Sequence, residues 1–346
     1  MKIGNPRFQA ALRGEPQATP PVWFMRQAGR YHAHYQALRK KHSFMELCKD
    51  PRLAAAVALG PIEDFDFDVS IFFSDLLFPL EAMGMGLTYS DSQGPQLGWH
   101  LTGESVHRLR PVDEAIEGLQ FQREALSATR RMLPPDKSLI GFVGSPWTLF
   151  TYAVQGRHAG SLQEVKSHLG LFPAFCEKVI PLLLRNIELQ FEGGAEIVML
   201  FDTAAGEISP WLYREKILPE IEKLARSFPG KLGYYSKGTQ SAYFVDPIWR
   251  EGVFAGQGVD HRWDLSEVLR NRAPRSGFVQ GNFDEALLFS EPNDFRARVE
   301  SYLAPLIKLS TEERAGWVCG LGHGVLPKTP EQNVREFVQI IRRTFR

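Results

Sequence analysis

Short apolar runs that alternate with longer amphipathic stretches are the feature that most constrains the fold of this 346-residue chain. Several runs are continuously apolar, as the strands of a parallel sheet are when helices cover both faces. The predicted strands are Val22–Met25, Val69–Phe73, Leu139–Val143, Ile197–Phe201, Leu232–Tyr235, Gly252–Ala255, Phe278–Gln280 and Trp317–Cys319. The predicted helices are Arg52–Gly60, Val112–Met132 with an interruption at Gly118, Phe172–Phe191, Pro210–Phe228 and Pro330–Phe345.

Eight strands that alternate with helices predict an α/β protein with a single (β/α)8 fold, the TIM barrel. No linker or shift of composition divides the chain, so one domain is expected over residues 1–346. A doubly wound open sheet is the alternative that the same alternation allows. No Gly-x-Gly-x-x-Gly follows a predicted strand and no Walker-type phosphate loop is present, which removes the commonest nucleotide-binding folds.

Composition excludes several classes of protein. The 40 basic and 40 acidic side chains cancel, whereas a nucleic-acid-binding protein usually carries a basic surplus. No apolar run is long enough to span a bilayer, so no membrane partner is expected. The widely spaced Cys48, Cys176 and Cys319 give neither a disulfide framework nor a Cys-x-x-Cys metal site. These cysteines, and a stretch Met1–Pro6 that lacks the apolar core of a signal peptide, predict that the protein is located in the cytoplasm.

The segment Pro21–Tyr31, PVWFMRQAGRY, ends an apolar run in two arginines four residues apart. If the backbone turns helical after Met25, Arg26 and Arg30 share one face. Two guanidinium groups on one face suit a ligand with several carboxylates or phosphates. Gly29 would let that ligand approach the backbone closely. A helix start with two solvated arginines is the structural alternative.

Other polar side chains follow the predicted strands, where barrel enzymes carry their active sites. Asp75 follows the second strand, Tyr152 lies in the segment after the third, Thr203 follows the fourth and His323 follows the eighth. Each also has a structural explanation, because Asp75 and Thr203 could cap helices and Tyr152 could be a core tyrosine. Together they predict a pocket with arginines, one carboxylate, hydroxyl groups and one imidazole.

Seven segments, in order and spacing, resemble the uroporphyrinogen decarboxylase family across most of the chain. They are Pro21–Tyr31 (PVWFMRQAGRY), Ile71–Leu76 (IFFSDL), Gly94–Pro95 after Met83–Met85, Gly144–Tyr152 (GSPWTLFTY), Phe201–Gly206 (FDTAAG), Val279–Asp284 (VQGNFD) and Leu321–Gly324 (LGHG). The chain departs from the usual family pattern at four positions. These are Thr203 for serine, His261 for tryptophan, Glu285 for proline and Gly320 for asparagine.

The resemblance implies a carboxy-lyase of porphyrin and haem biosynthesis that acts as a homodimer without a cofactor or metal. Its small-molecule substrate is uroporphyrinogen, whose four acetate groups lose CO2 to give coproporphyrinogen. It implies that Asp75 is the catalytic residue and accepts the pyrrole N–H groups. It also implies that substrate carboxylates are bound by Arg26 and Arg30, by the backbone of Gln27, Ala28 and Gly29, and by Tyr152, Thr203 and His323.

Two other functions are open on the residues alone. Zinc-dependent methyltransferases of the same barrel superfamily bind their metal through a His-x-Cys pair and a later cysteine. In this chain the residues two positions before the cysteines are Glu46, Ala174 and Trp317. A non-catalytic tetrapyrrole carrier would need arginines but no central carboxylate, so the presence of Asp75 and Tyr152 argues against it.

Overall fold

The structure is a computed structural model that describes residues 4–90, 94–272 and 277–346. Met1–Ile3, which belong to the amino-terminal stretch considered above, lie outside the described residues. Within the described ranges, no helix combines the length and the apolar character that a membrane crossing requires.

A curled sheet of seven parallel strands forms the centre of the molecule, in the order β1-β4-β5-β6-β7-β8-β9, and β2 and β3 form a separate antiparallel hairpin. The strands are β1 (Val69–Ile71), β2 (Leu87–Ser90), β3 (Gly94–Leu97), β4 (Ser138–Gly144), β5 (Val198–Asp202), β6 (Leu232–Ser236), β7 (Gly256–Gly258), β8 (Phe278–Phe283) and β9 (Trp317–Leu321). The predicted α/β class with a parallel sheet is confirmed. The hairpin was not predicted.

The helices lie between and around these strands. They are α1 (Pro6–Leu12), α2 (Ala33–Arg39), α3 (Phe44–Lys49), α4 (Pro51–Phe65), α5 (Phe78–Leu80), α6 (Val112–Ala115), α7 (Gln120–Met132), α8 (Pro146–Gln155), α9 (Gln163–Ser167), α10 (Phe172–Glu192), α11 (Pro210–Leu212), α12 (Leu218–Ser227), α13 (Leu265–Arg270), α14 (Pro292–Ile307) and α15 (Glu331–Thr344). A 3-10 turn at Ile116–Leu119 separates α6 from α7 and contains Gly118, where the interruption was predicted.

The predicted first strand, Val22–Met25, does not form a full strand. Among the described residues, Val22 makes one parallel bridge, to Cys319 of β9. On its other side the Val22 N–H donates to the Asp68 carboxylate at 2.6 Å and the Val22 carbonyl accepts from the Asp68 N–H at 2.9 Å, so the pairing is half side chain and half backbone and ends before β1 begins. The structure therefore contains seven parallel strands with this segment beside them, and the eight-stranded barrel is not confirmed.

The predicted strand at Gly252–Ala255 is wrong by a few residues, because β7 begins at Gly256. The strand contains two glycines, Gly256 and Gly258, and the first is required by packing. A Cβ atom on Gly256 would lie 2.3 Å from the ring of Phe278 on the neighbouring β8. Only a residue without a side chain allows the two strands to pack this closely.

Two apolar layers hold the sheet. Inside its curve, Trp23, Met199, Tyr235, Phe278 and Val318 belong to one buried cluster. A larger cluster fills the space between the outer face of the sheet and the helices. Because the strands are parallel, their carboxyl ends all lie at one end of the sheet, and the predicted site residues follow those ends.

Candidate active site

Arg26 lies in a tight turn and not in a helix. Its φ of 57° is in the left-handed region, which is uncommon for a residue with a side chain. The Val325 N–H donates to the Met25 carbonyl at 2.9 Å, and a Cβ on Gly324 would lie 2.5 Å from Arg26 Cδ. The arginine side chain therefore packs directly on the loop that contains His323.

The helix that would place both arginines on one face is absent, because α2 begins only at Ala33. Arg30 is exposed, and its charge acts on the hydroxyl of Tyr35. The charge of Arg26 acts on Asp75, Tyr152 and His323, whereas no such effect on these three residues is found for Arg30 in the described part of the chain.

The three residues between the arginines have different environments. The Gln27 side chain is buried, where its Oε1 accepts from the Phe24 N–H at 3.2 Å and its Nε2 donates to the Val69 carbonyl at 3.1 Å. It joins the segment after Pro21 to β1 and is not available to a ligand. Ala28 packs on the apolar cluster around Tyr35. Within the described ranges, the N–H groups of Ala28 and Gly29 donate to no protein acceptor, which leaves two backbone donors for an anion.

Asp75 follows β1 and accepts a hydrogen bond from the Leu77 N–H at 2.9 Å. Burial raises the pKa of Asp75, and the Leu77 N–H, the nearby Tyr89 hydroxyl and the charge of Arg26 oppose that rise. The Tyr89 hydroxyl approaches the carboxylate without the geometry of a formed hydrogen bond. A ligand with several N–H donors could therefore supply hydrogen bonds that Asp75 lacks in the free protein.

Tyr152, on α8, lies in the electrostatic range of the same groups. Burial raises the pKa of Tyr152, the charge of Asp75 raises it further, and Arg26 opposes both. Its hydroxyl is therefore protonated at neutral pH and is a hydrogen-bond donor. Asp75, Tyr152 and Arg26 form one electrostatic group.

Thr203 is half-buried directly after β5, beside a fully buried carboxylate. Asp202 accepts hydrogen bonds from the hydroxyl groups of Ser145, Thr148 and Tyr234 at 2.8–2.9 Å. Desolvation raises the pKa of Asp202 to about 6, although the three donors oppose it. This network fixes the backbone that presents Thr203.

His323 follows β9, and its imidazole stacks against Tyr235 with the rings 12° from parallel. The Tyr235 hydroxyl donates to the Gly322 carbonyl at 2.7 Å and lies 3.1 Å from His323 Nδ1. Burial lowers the pKa of His323 to about 3, and the charges of Arg26 and Lys237 lower it in the same direction. The imidazole is therefore neutral in the free protein at neutral pH.

A family model described as uroporphyrinogen decarboxylase (URO-D) matches residues 4–344. A relative of that name from Gloeobacter violaceus is 35% identical over 343 residues, which cover 96% of this chain and 95% of the relative. Another, from Thermus thermophilus, is 33% identical over 350 residues and 99% of both chains. The chain belongs to the uroporphyrinogen decarboxylase family. The resemblance stated from the sequence and the predicted carboxy-lyase class are confirmed.

A solved structure of the same fold is a methyltransferase from Methanosarcina mazei. It has a TM-score of 0.80 with 19% identity and covers 100% of both chains. At this identity the likeness concerns the fold alone. This member of the uroporphyrinogen decarboxylase family therefore has the same fold as a protein that is described as a methyltransferase.

Sequence reasoning missed Tyr235, Tyr89 and Lys237. Tyr235 ends a predicted strand, so its place at the carboxyl end of the sheet could have been noticed. Tyr89 lies on the unpredicted hairpin, and no sequence pattern around it indicated a place in the site.

In the described part of the chain, one group of side chains could hold a metal ion, namely His261, Asp284 and Glu285, and no cysteine belongs to it.

Proposed function

We propose that this chain removes CO2 in turn from the four acetate groups of uroporphyrinogen III to give coproporphyrinogen III, with Asp75 as the catalytic residue. The observation that carries this proposal is the environment of Asp75. It is a carboxylate beside two tyrosine hydroxyls and one guanidinium group, in a chain that belongs to the uroporphyrinogen decarboxylase family.

In this proposal Asp75 accepts hydrogen bonds from the pyrrole N–H groups at the centre of the macrocycle. One acceptor that binds several donors holds a flexible ring in a single domed shape. Those donors also favour the ionised carboxylate and so oppose the effect of burial on its pKa.

The reaction needs an electron sink, which the substrate itself can supply. A proton added to a pyrrole α-carbon gives a cationic ring. The bond between the acetate methylene and its carboxylate then breaks, its electron pair enters the ring and CO2 leaves. A proton added to the methylene carbon gives the methyl group, and loss of the α-carbon proton restores the pyrrole. Asp75 stabilises the cationic intermediate electrostatically, an effect that is strong where water is excluded.

The remaining predicted residues are assigned to the substrate carboxylates. Arg26 and the N–H groups of Ala28 and Gly29 bind one carboxylate at the turn after Met25. Tyr152 and Thr203 hydrogen-bond the reacting or neighbouring acetate, and His323 binds a propionate. Arg30 and the backbone of Gln27 complete the predicted set, with Arg30 binding carboxylates at the exposed rim and Gln27 supporting the turn.

Four finer properties belong to the same proposal. The segment Val22–Met25 serves as the eighth strand of a closed barrel, because it lies between β9 and the start of β1. One domain spans residues 1–346. The chain acts in the cytoplasm, which its three buried free cysteines favour. It forms a homodimer, as the family resemblance implies, which sedimentation of the purified protein tests.

The first experiment is anaerobic incubation of the chelator-treated protein with uroporphyrinogen III, followed by separation of the oxidised products by carboxyl number. We expect porphyrins with seven, six, five and four carboxyl groups to appear in sequence. Asp75→Asn keeps the size of the side chain and removes its charge. It should lower kcat by about 100-fold or more while the fold survives, because a preorganised charge is lost.

Asp113→Asn is the matched control, since Asp113 is an exposed aspartate on α6 and should leave turnover unchanged. Turnover of Asp75→Asn within a few-fold of the unmodified protein would exclude the role of Asp75. Unchanged substrate with folded protein that still binds it would instead favour a carrier.

A further inference from the structure

Two of the positions at which this chain departs from its family lie together in the structure. His261 follows β7 and Glu285 follows β8, and the usual family residues, tryptophan and proline, offer no metal ligand. His261 Nδ1 lies 3.5 Å from Glu285 Oε2, and Asp284 contributes a third ligand atom within 4.8 Å of the other two. Two positions at separate places in the sequence thus bring an imidazole and a carboxylate to one point.

The spacing of these atoms fits an ion between them. Nitrogen and oxygen ligands lie about 2.1 Å from a zinc ion, so neighbouring ligands of a tetrahedral site are roughly 3.4 Å apart. The 3.5 Å between His261 Nδ1 and Glu285 Oε2 matches that separation and exceeds an ordinary hydrogen bond.

The burial of Glu285 is a second observation in favour of an ion at this point. Glu285 is 7% exposed, and its Oε2 and the Nδ1 of His261 have no hydrogen-bond partner among the described residues. A buried carboxylate oxygen without a hydrogen bond is costly, because its desolvation is not fully compensated. A divalent cation would satisfy both atoms. Asp284 Oδ1 accepts from the Ala286 N–H at 2.9 Å, which leaves the other oxygen of that carboxylate for a ligand.

The site is accessible from solvent. His261 and Asp284 line a cavity of about 740 Å³ between the end of β8 and the helices α13 and α14. An ion could enter from this cavity, and water in it could complete the coordination.

We propose that His261, Asp284 and Glu285 bind one divalent first-row transition ion, represented here by Zn²⁺. One imidazole with two carboxylates suits zinc or manganese, whereas magnesium and calcium prefer sites made only of oxygen. The ion joins the loop after β7 to the loop after β8. It holds those loops beside His323, because a Cβ on Gly322 would lie 2.5 Å from the backbone nitrogen of His261.

The test uses the full chain, stripped with a chelator and titrated with Zn²⁺ in a calorimeter, with bound metal counted by elemental analysis. We expect one zinc per chain, little competition from Mg²⁺, and a rise in Tm because the ion binds the folded state. Glu285→Gln and, separately, His261→Gln should each weaken zinc binding by at least about tenfold and abolish most of the rise in Tm.

Glu291→Gln is the matched control, since Glu291 is an exposed glutamate further along the same loop region and should bind zinc like the unmodified protein. Circular dichroism establishes that each variant is folded, and the partly exposed His261 gives a second test if Glu285→Gln fails to fold. Absence of stoichiometric zinc, or equal affinity in both ligand variants and the unmodified protein, would overturn the proposal and leave His261 and Glu285 as an ion pair.

Cobalt substitution tests the ligand set directly. The Co²⁺ protein is expected to lack the near-ultraviolet thiolate-to-metal band that cysteine ligands produce. Such a band would place the metal on a cysteine and overturn the proposal. Decarboxylation is measured on the stripped protein, so its outcome is independent of zinc binding.

Discussion

At the scale of single residues, the neutral state of His323 decides how it can bind an anion. The Gly322 carbonyl is the nearer acceptor for the Tyr235 hydroxyl proton, so we assign that proton to it. The Tyr235 oxygen then accepts from Nδ1–H of His323, and Nε2 keeps its lone pair. In this tautomer the Nε2 lone pair repels a carboxylate, so a propionate bound there favours an imidazole that gains a proton.

We therefore predict that substrate binding protonates His323. The pKa of His323 is about 3 in the free protein and should rise beside a bound carboxylate. At any pH between the pKa of the free protein and the pKa of the complex, substrate binding therefore takes up a proton. Affinity then falls as the pH rises, and KM should be larger at pH 8 than at pH 6. Calorimetry in buffers with different ionisation enthalpies measures the proton uptake.

His323→Gln keeps a hydrogen-bond donor and cannot take up the proton, so its uptake should be smaller by up to one proton per site. His107→Gln changes an exposed histidine and should match the unmodified protein. Equal uptake by all three proteins would show that His323 stays neutral in the complex.

At the scale of elements, Asp202 connects two strands of the sheet and one helix. It ends β5 and accepts from Ser145 and Thr148, at the start of α8, and from Tyr234 on β6. The Thr148 hydroxyl also accepts from the Ala204 N–H at 3.3 Å. The loop that presents Thr203 is thus fixed to two neighbouring elements through one buried carboxylate.

The raised pKa of Asp202 makes this network sensitive to pH. Its pKa is about 6 in the folded protein against 3.8 ordinarily, so the folded state holds the extra proton between these values. The resulting stabilisation is complete only below pH 3.8 and is lost as the pH rises through 6, a change of about 3 kcal/mol over the whole range. The unfolding free energy of the unmodified protein, relative to Asp202→Asn, should therefore fall by about 2 kcal/mol from pH 4 to pH 7 in urea titrations.

Thr148→Val removes one donor that favours the ionised carboxylate, so it should move this transition to higher pH. A difference between the unmodified protein and Asp202→Asn that stays constant from pH 4 to pH 7 would contradict the raised pKa.

The elements also differ in how far the sequence predicts them. Strands such as β4 and β5 are apolar almost throughout, and their predicted positions are nearly those observed. The prediction failed where tertiary contacts decide, as at Gly256, whose missing side chain makes room for Phe278. The same holds in the site, because the turn at Arg26 depends on backbone contact with Val325, which is distant in the sequence.

At the scale of the whole molecule, the three cysteines lie in different parts of the fold, so the reaction of each thiol measures when its surroundings become exposed. Cys48 lies on α3, Cys176 on α10 and Cys319 on β9, and all three are buried. Burial raises the pKa of each thiol, which suppresses the reactive thiolate. No thiol should therefore react until the surrounding layer opens.

We predict that a thiol reagent such as 5,5′-dithiobis(2-nitrobenzoate) modifies the native protein only at the rate of unfolding, and modifies all of its thiols at once in denaturant. A cooperative fold opens its layers together, so single-cysteine variants that retain Cys48, Cys176 or Cys319 should react at the same slow rate. A saturating porphyrin ligand binds only the folded state and should slow all three equally. Fast modification of Cys176 alone would show that α10 opens independently of the sheet, and the helices and the sheet would not then unfold as one unit.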